Sequence, residues 1–121
     1  MEVPILKQGP FLLASVQSAL LDTDLIQLRD ALAAQVGHYR SRGVIVDVTA
    51  LDVMDSFAAR TLRDLAHMVR LRGAETVIVG IQPDVAFAMV QLGLVLEDVA
   101  TALDLEEGLE YLTRRAGPQR R

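Results

Sequence analysis

The strongest constraint on the fold is a repeated pairing of a short β-branched run with a segment of helical periodicity. Val44-Ile45-Val46-Asp47-Val48 is followed by a loop, Thr49 to Met54, and then by a segment starting near Asp55-Ser56. In that segment Ala58, Leu62, Leu65 and Val69 recur at the spacing of one helix face, with Arg60, Arg63, Asp64, His67 and Arg70 on the other. The pattern then repeats. Thr76-Val77-Ile78-Val79 leads through Gly80-Ile81-Gln82-Pro83 into a short apolar helix, Asp84 to Leu92, stopped by Gly93. Unbroken β-branched runs suit strands covered on both faces, and strands alternating with helices pair in parallel. The chain is therefore expected to be α/β, with helices covering a mainly parallel sheet.

The flanking segments extend this plan. Ile5-Leu6-Lys7 and Phe11 to Val16 flank Gln8-Gly9-Pro10, which predicts an N-terminal β-hairpin at the sheet edge. A helix follows, capped by Asp22 or Thr23. Its inner face carries Leu25, Leu28, Leu32, Val36 and Tyr39, its outer face Gln27, Asp30 and His38, and Gly43 closes the segment. A weak strand is expected around Val95 to Ala100. A last helix, Asp104 to Arg115, presents Leu105, Leu109 and Leu112, with Glu110 and Arg114 in the favourable i,i+4 order. The 121 residues fit one domain, residues 1–116, followed by a frayed tail, 117–121.

Composition removes whole classes of function. There are no cysteines, which excludes disulfides, thiolate metal sites and thiol catalysis. The net charge of −4 argues against a nonspecific grip on nucleic acid or on an anionic membrane. No secretory signal and no apolar run of spanning length is visible, so a cytoplasmic location is expected. With 51% hydrophobic and 23% charged residues the chain is globular, and 4% aromatic residues leave little for base stacking.

Catalytic chemistry is equally sparse. The eight glycines are scattered, with neither Walker nor Rossmann spacing. His38 and His67 fall on outer faces of different helices, as solvated histidines do. Asp47, Asp52 and Asp55 surround one strand-to-helix loop and invite a Mg²⁺ reading. Strand-end, turn and cap positions select Asp on their own account, and that reading is preferred. The acidic set Asp98, Asp104, Glu106, Glu107 and Glu110 reads as a solvated face, and the Arg pairs 114–115 and 120–121 as solubilising. No nucleophile stands beside a general base, so no enzymatic activity is expected.

Ser56 stands out by position. It lies at the first turn of a helix, after a loop at the carboxyl edge of the sheet, where open α/β sheets usually meet their ligands. A serine there is most often a cap. Here Asp55 can cap alone, and Ala58 and Ala59 occupy the positions where a capping box would place Glu or Gln. A phosphate on Ser56 would gain from the helix N-terminus and bring about −1.5 to −2 charges beside Asp52 and Asp55.

Val44 to Thr49, Met54-Asp55-Ser56-Phe57 and Gly80-Ile81-Gln82-Pro83 strongly resemble the STAS domain of sulfate transporters and anti-sigma factor antagonists. Leu92-Gly93 and Thr101 to Glu106 narrow the likeness to RsbS-type scaffold subunits of the bacterial stressosome, over roughly Pro4 to Leu112. The resemblance implies a STAS, SpoIIAA-like fold with no cofactor of its own. It implies that Ser56 is the phosphoacceptor of an RsbT-type serine kinase, reset by a phosphatase. The unphosphorylated protein would hold that kinase in a large shell built with RsbR-type sensor paralogues, and phosphorylation would release it. ATP and Mg²⁺ would belong to the kinase. A homodimer is expected on the same ground.

The sensor paralogues tend to carry an acceptor threonine in the helix after the Pro loop. Here that helix reads Val85 to Val90 without a hydroxyl. Asp55, Ser56, Gln82, Pro83 and Asp84 are the expected kinase-docking residues, on the argument that both loops share one sheet edge. Thr49 is an alternative acceptor, although its place at a strand end favours a structural hydrogen bond. Two other readings stand beside this one: a stand-alone anti-sigma factor antagonist, and a small-molecule-binding module using the same loops as a pocket.

Overall fold

The computed structural model describes residues 3–17, 21–94, 96 and 99–116. In chain order the elements are β1 (Ile5–Gln8), β2 (Phe11–Ser15), α1 (Asp22–Tyr39), β3 (Gly43–Asp47), α2 (Ser56–Leu71), β4 (Glu75–Val79), α3 (Pro83–Leu92), β5 (Ala100–Ala102) and α4 (Leu105–Ala116). They build one five-stranded sheet in sequential order, β1 to β5. β1 and β2 form the antiparallel hairpin, and every later pairing is parallel. The expected hairpin, strand–helix repeats and mainly parallel sheet are all present.

Sequential order decides where the helices lie. Each crossover advances one strand in the same direction, so crossovers of one hand put α1, α2 and α3 on one face. That face holds the larger core: Leu12 and Ala14 of β2, Val44 and Val46 of β3 and Ile78 of β4 meet Leu28 and Leu32 of α1, Leu62 and Leu65 of α2, and Val85 and Met89 of α3. The opposite face is covered by α4, whose Leu112 packs with Phe11, Ile45, Val77 and Val79. Leu105 and Leu109 are half-buried beside it, as their spacing predicted. β3 thus has neighbours on both sides and cover on both faces, which its unbroken apolar run requires.

Four sequence expectations need correction. The α1 cap is Leu21, not Asp22 or Thr23: Asp24, at the third helical position, accepts a hydrogen bond from the Leu21 N–H at 2.9 Å. This is the reciprocal half of a capping box, formed without a polar cap residue. Tyr39 is 45% exposed rather than buried, because it ends α1 where the chain turns at Arg40 in a left-handed conformation, φ 51°. Gly43 does not close that helix. It opens β3, where an added Cβ would stand 2.9 Å from the Leu112 methyls, so glycine lets α4 approach the sheet. The fifth strand is Ala100–Ala102, at the end of the expected stretch and beyond it. Residues 95, 97 and 98, and the expected tail at 117–121, lie outside the described residues. Among those described, no helix is long and apolar enough to cross a membrane.

Thr76 sits in β4 at 5% exposure, and its Oγ1 has no hydrogen-bond partner among the described residues. A buried hydroxyl left unpaired costs roughly 1–3 kcal/mol. Thr76→Val, which exchanges it for a methyl group, is expected to raise unfolding stability by about 1 kcal/mol in urea titration; an unchanged or lowered midpoint would contradict this assignment.

Candidate functional site

Because β3 and β4 run parallel and in register, Asp47 beside Val79, the loops that leave them start side by side. The loop after β3 is fixed first by Asp47. Its Oδ1 accepts from the Thr49 N–H at 2.9 Å and from the Thr49 hydroxyl at 2.6 Å. The Thr49 hydroxyl is therefore engaged as a donor, the structural bond its position favoured. Gly80, the first residue after β4, comes so close that a Cβ there would collide with Thr49 Oγ1. Its φ of +82° also favours glycine.

Gln82 then joins the two loops. Its Nε2 donates to the Thr49 carbonyl oxygen at 2.7 Å and to Asp52 Oδ1 at 3.3 Å. Sequence reasoning placed Gln82 on the edge but missed this bridge, which links residues 33 positions apart and depends on the β3–β4 register. Pro83 and Asp84 follow, exposed in the first turn of α3. Proline's missing N–H costs nothing at that position, and Asp84 complements the helix dipole.

At the far end of the β3 loop, Asp55 caps α2, its Oδ1 accepting from the Ala58 N–H at 2.8 Å. Ser56, the first helical residue, is exposed, and its hydroxyl has no hydrogen-bond partner among the described residues. Beneath the chain here, Met54 is anchored in the core at 4% exposure, while Val53 beside it is 73% exposed. The three aspartates of this edge thus have separate tasks: Asp47 holds Thr49, Asp52 meets Gln82, and Asp55 caps α2. Among the described residues no group of three His, Cys, Asp or Glu side chains is placed to hold a metal ion.

Beside Ser56 is a shallow hollow of about 150 Å³, lined by Ser56, Ala59, Arg60, Arg63, Gly93 and Leu94. Sites for small molecules usually enclose about 300–1,000 Å³. The sheet order has a matching consequence: α1 to α3 share one face, so no reversal of strand order splits the loops after β3 and β4 to open a crevice between them. What this edge offers is a surface. Arg60 and Arg63, one and two turns along α2 from Ser56, belong to it; in the sequence they stand out only as an outer face, although their i+4 and i+7 spacing from Ser56 carries the signal.

The chain matches the STAS domain model over residues 3–108. A Moorella thermoacetica RsbS carrying a serine-to-glutamate substitution superposes with a TM-score of 0.81 and 34% identity, covering 94% of this chain and 97% of that one. A chain from the molecular architecture of the stressosome, a signal integration and transduction hub, gives 0.79 and 34% identity, covering 95% and 100%. In Bacillus subtilis (strain 168), the RsbT co-antagonist protein RsbRA is 32% identical over 91 residues, 74% of this chain and 33% of RsbRA, so the chain spans about a third of that relative's length. Unphosphorylated SpoIIAA, an anti-sigma factor antagonist, shares the fold with a TM-score of 0.71 at 14% identity. The chain belongs to the STAS domain family and resembles RsbS.

Three substitutions test this geometry by urea titration. Asp55→Ala is expected to cost about 1 kcal/mol as a lost cap, whereas Ser56→Ala should stay within about 0.5 kcal/mol; equal losses would mean that Ser56 shares the capping. Gly80→Ala is expected to cost at least about 1–3 kcal/mol through its positive φ alone, and a neutral result would show that the two loops are not held in contact.

Proposed function

We propose that this STAS domain is a non-enzymatic regulatory scaffold of the stressosome type, switched by phosphorylation of Ser56. Unmodified, its carboxyl edge holds an RsbT-type serine kinase; phosphorylated, it releases the kinase to a downstream stress-response module, and a phosphatase resets it. The observation that carries this reading is the division of labour at α2: Asp55 supplies the cap, which leaves the adjacent Ser56 hydroxyl exposed and without a structural partner.

The physical setting supports docking by a protein. Asp55 and Asp84 are exposed at the starts of α2 and α3, with Asp52 on the loop between β3 and α2. Val53 and Leu103 are exposed on the loops that follow β3 and β5, and Phe87 on α3, at 73%, 75% and 65%. Apolar groups on a polar-rimmed surface favour a protein partner over a small ligand. A phosphate would add about −1.5 to −2 charges beside Asp55, repelling an acidic or apolar partner surface without entering the core. Gln82 acts in this scheme by holding the loop that precedes Ser56, while Pro83 and Asp84 stand exposed for contact.

The likeness to RsbS, 34% over nearly the whole of both chains, supports the scaffold over a stand-alone antagonist. RsbRA, named as an RsbT co-antagonist, supports RsbR-type paralogues as assembly partners. A homodimer within a large hetero-oligomeric shell is the expected state, without nucleic acid, membrane or cofactor.

Incubation of the chain with its cognate kinase and Mg-ATP is expected to add one phosphate, placed on Ser56 by fragment mass spectrometry. Ser56→Asp should weaken kinase binding by about tenfold or more, a change of about 1.4 kcal/mol, and Ser56→Ala should preserve it. No phosphate from a kinase shown to be active, or equal affinities for the two variants, would overturn the reading.

A further inference from the structure

The surface around Ser56 divides by charge. Asp52 and Asp55 stand exposed on the loop side, and Asp84 at the start of the neighbouring helix α3. On the helix side, the charged side chains that line the hollow beside Ser56 are both arginines, Arg60 and Arg63. Arg63 is engaged with a group of its own. Arg60 is exposed, and among the described residues it has no hydrogen-bond or ion-pair partner. Asp64 lies four positions further along α2, but a cation ahead of an anion is the weaker order, and no ion pair joins the two. We infer that Arg60 receives the phosphate carried by Ser56, in an i,i+4 clamp along the first turns of α2. This rests on Ser56 being the modified residue, and adds what becomes of the group once it is there.

Helix geometry brings the two residues together. Positions four apart have Cβ atoms about 5–6 Å from one another. Helical side chains lean towards the N-terminus, so the Arg60 stem extends back over the turn that Ser56 begins. The unmodified serine hydroxyl offers that guanidinium no charge. A phosphate brings about −1.5 to −2, and an anion four positions ahead of a cation is the favourable order. α2 has no acidic residue in its first turn, so the phosphate would also supply the negative charge that a helix start favours.

Two forces then act in the same direction. Asp52 and Asp55 repel the phosphate from the loop, while Arg60 draws it along the helix. A planar guanidinium can donate to two phosphate oxygens at once, which fixes orientation as well as distance. Modification thereby alters two charges of the docking edge together. It adds an anion at Ser56 and occupies a cation that the unmodified edge leaves open to a partner.

The test uses the full chain with phosphoserine encoded at position 56, so a missing clamp and a missing kinase reaction are separate results. In ¹H–¹⁵N spectra one arginine Nε–H resonance is expected to move downfield on phosphorylation and to vanish in Arg60→Lys, which identifies it. Urea titrations then compare Arg60 with Arg60→Gln, each with and without the phosphate. The folded state of the phosphorylated chain should be favoured about threefold or more by Arg60, beyond any effect of Arg60→Gln on the unmodified chain. This cycle subtracts a merely structural role, which acts equally with and without the phosphate. Arg60→Lys should keep part of the coupling through its charge. No coupling, an Nε–H resonance that stays in place, or coupling lost in Arg63→Gln and kept in Arg60→Gln would each overturn the proposal.

Discussion

The structure depends on β3 being buried from every direction. Val44, Ile45 and Val46 are at most 1% exposed; Val44 and Val46 face the three-helix side, and Ile45 faces α4. β2 and β4 pair with its two edges in register. A strand so placed cannot slip by one residue without exchanging its two faces, so its end at Asp47 is a fixed point. Everything on the functional edge is measured from there. Asp47 sets Thr49, Thr49 leaves room only for glycine at position 80, and Gln82 closes the loop onto the neighbouring one.

In the proposed function, this arrangement would let the exposed Ser56 hydroxyl act as a switch without refolding of the domain. The loop before Ser56 is tied at its start by Asp47, in its middle by Gln82 and at its end by Met54 in the core and the Asp55 cap. A charge placed on Ser56 would therefore change the surface much more than the backbone. The same ties separate the tasks of three aspartates close in sequence, whose carboxylates serve three different local contacts.

Much of this was legible in the residues. β3 and β4 announce themselves by β-branched runs, α2 by its spacing of apolar residues, and the Asp55 cap by its place before them. Other features are set by partners distant in sequence. β5 is Ala-Thr-Ala, with no strand signature of its own; its pairing with β4 makes it a strand. Leu21 carries no capping chemistry, and the cap appears only because Asp24 reaches back to it. Gln82 reads as an edge residue until the β3–β4 register brings Thr49 and Asp52 within its reach. Gly43 reads as a helix stop, although its cause is Leu112 at the other end of the chain.

The central claim is that phosphorylation changes the docking edge and leaves the fold in place. The most direct measurement compares ¹H–¹⁵N NMR spectra of the chain without modification and with phosphoserine encoded at position 56. The account predicts shifts confined to residues 52–60 and the loop at 80–84, with the amides of β3 and β4 up to Asp47 and Val79 unchanged. Shifts spreading through Val44 to Val46 and Val77 to Val79 would contradict it, because the switch would then act by rearranging the core.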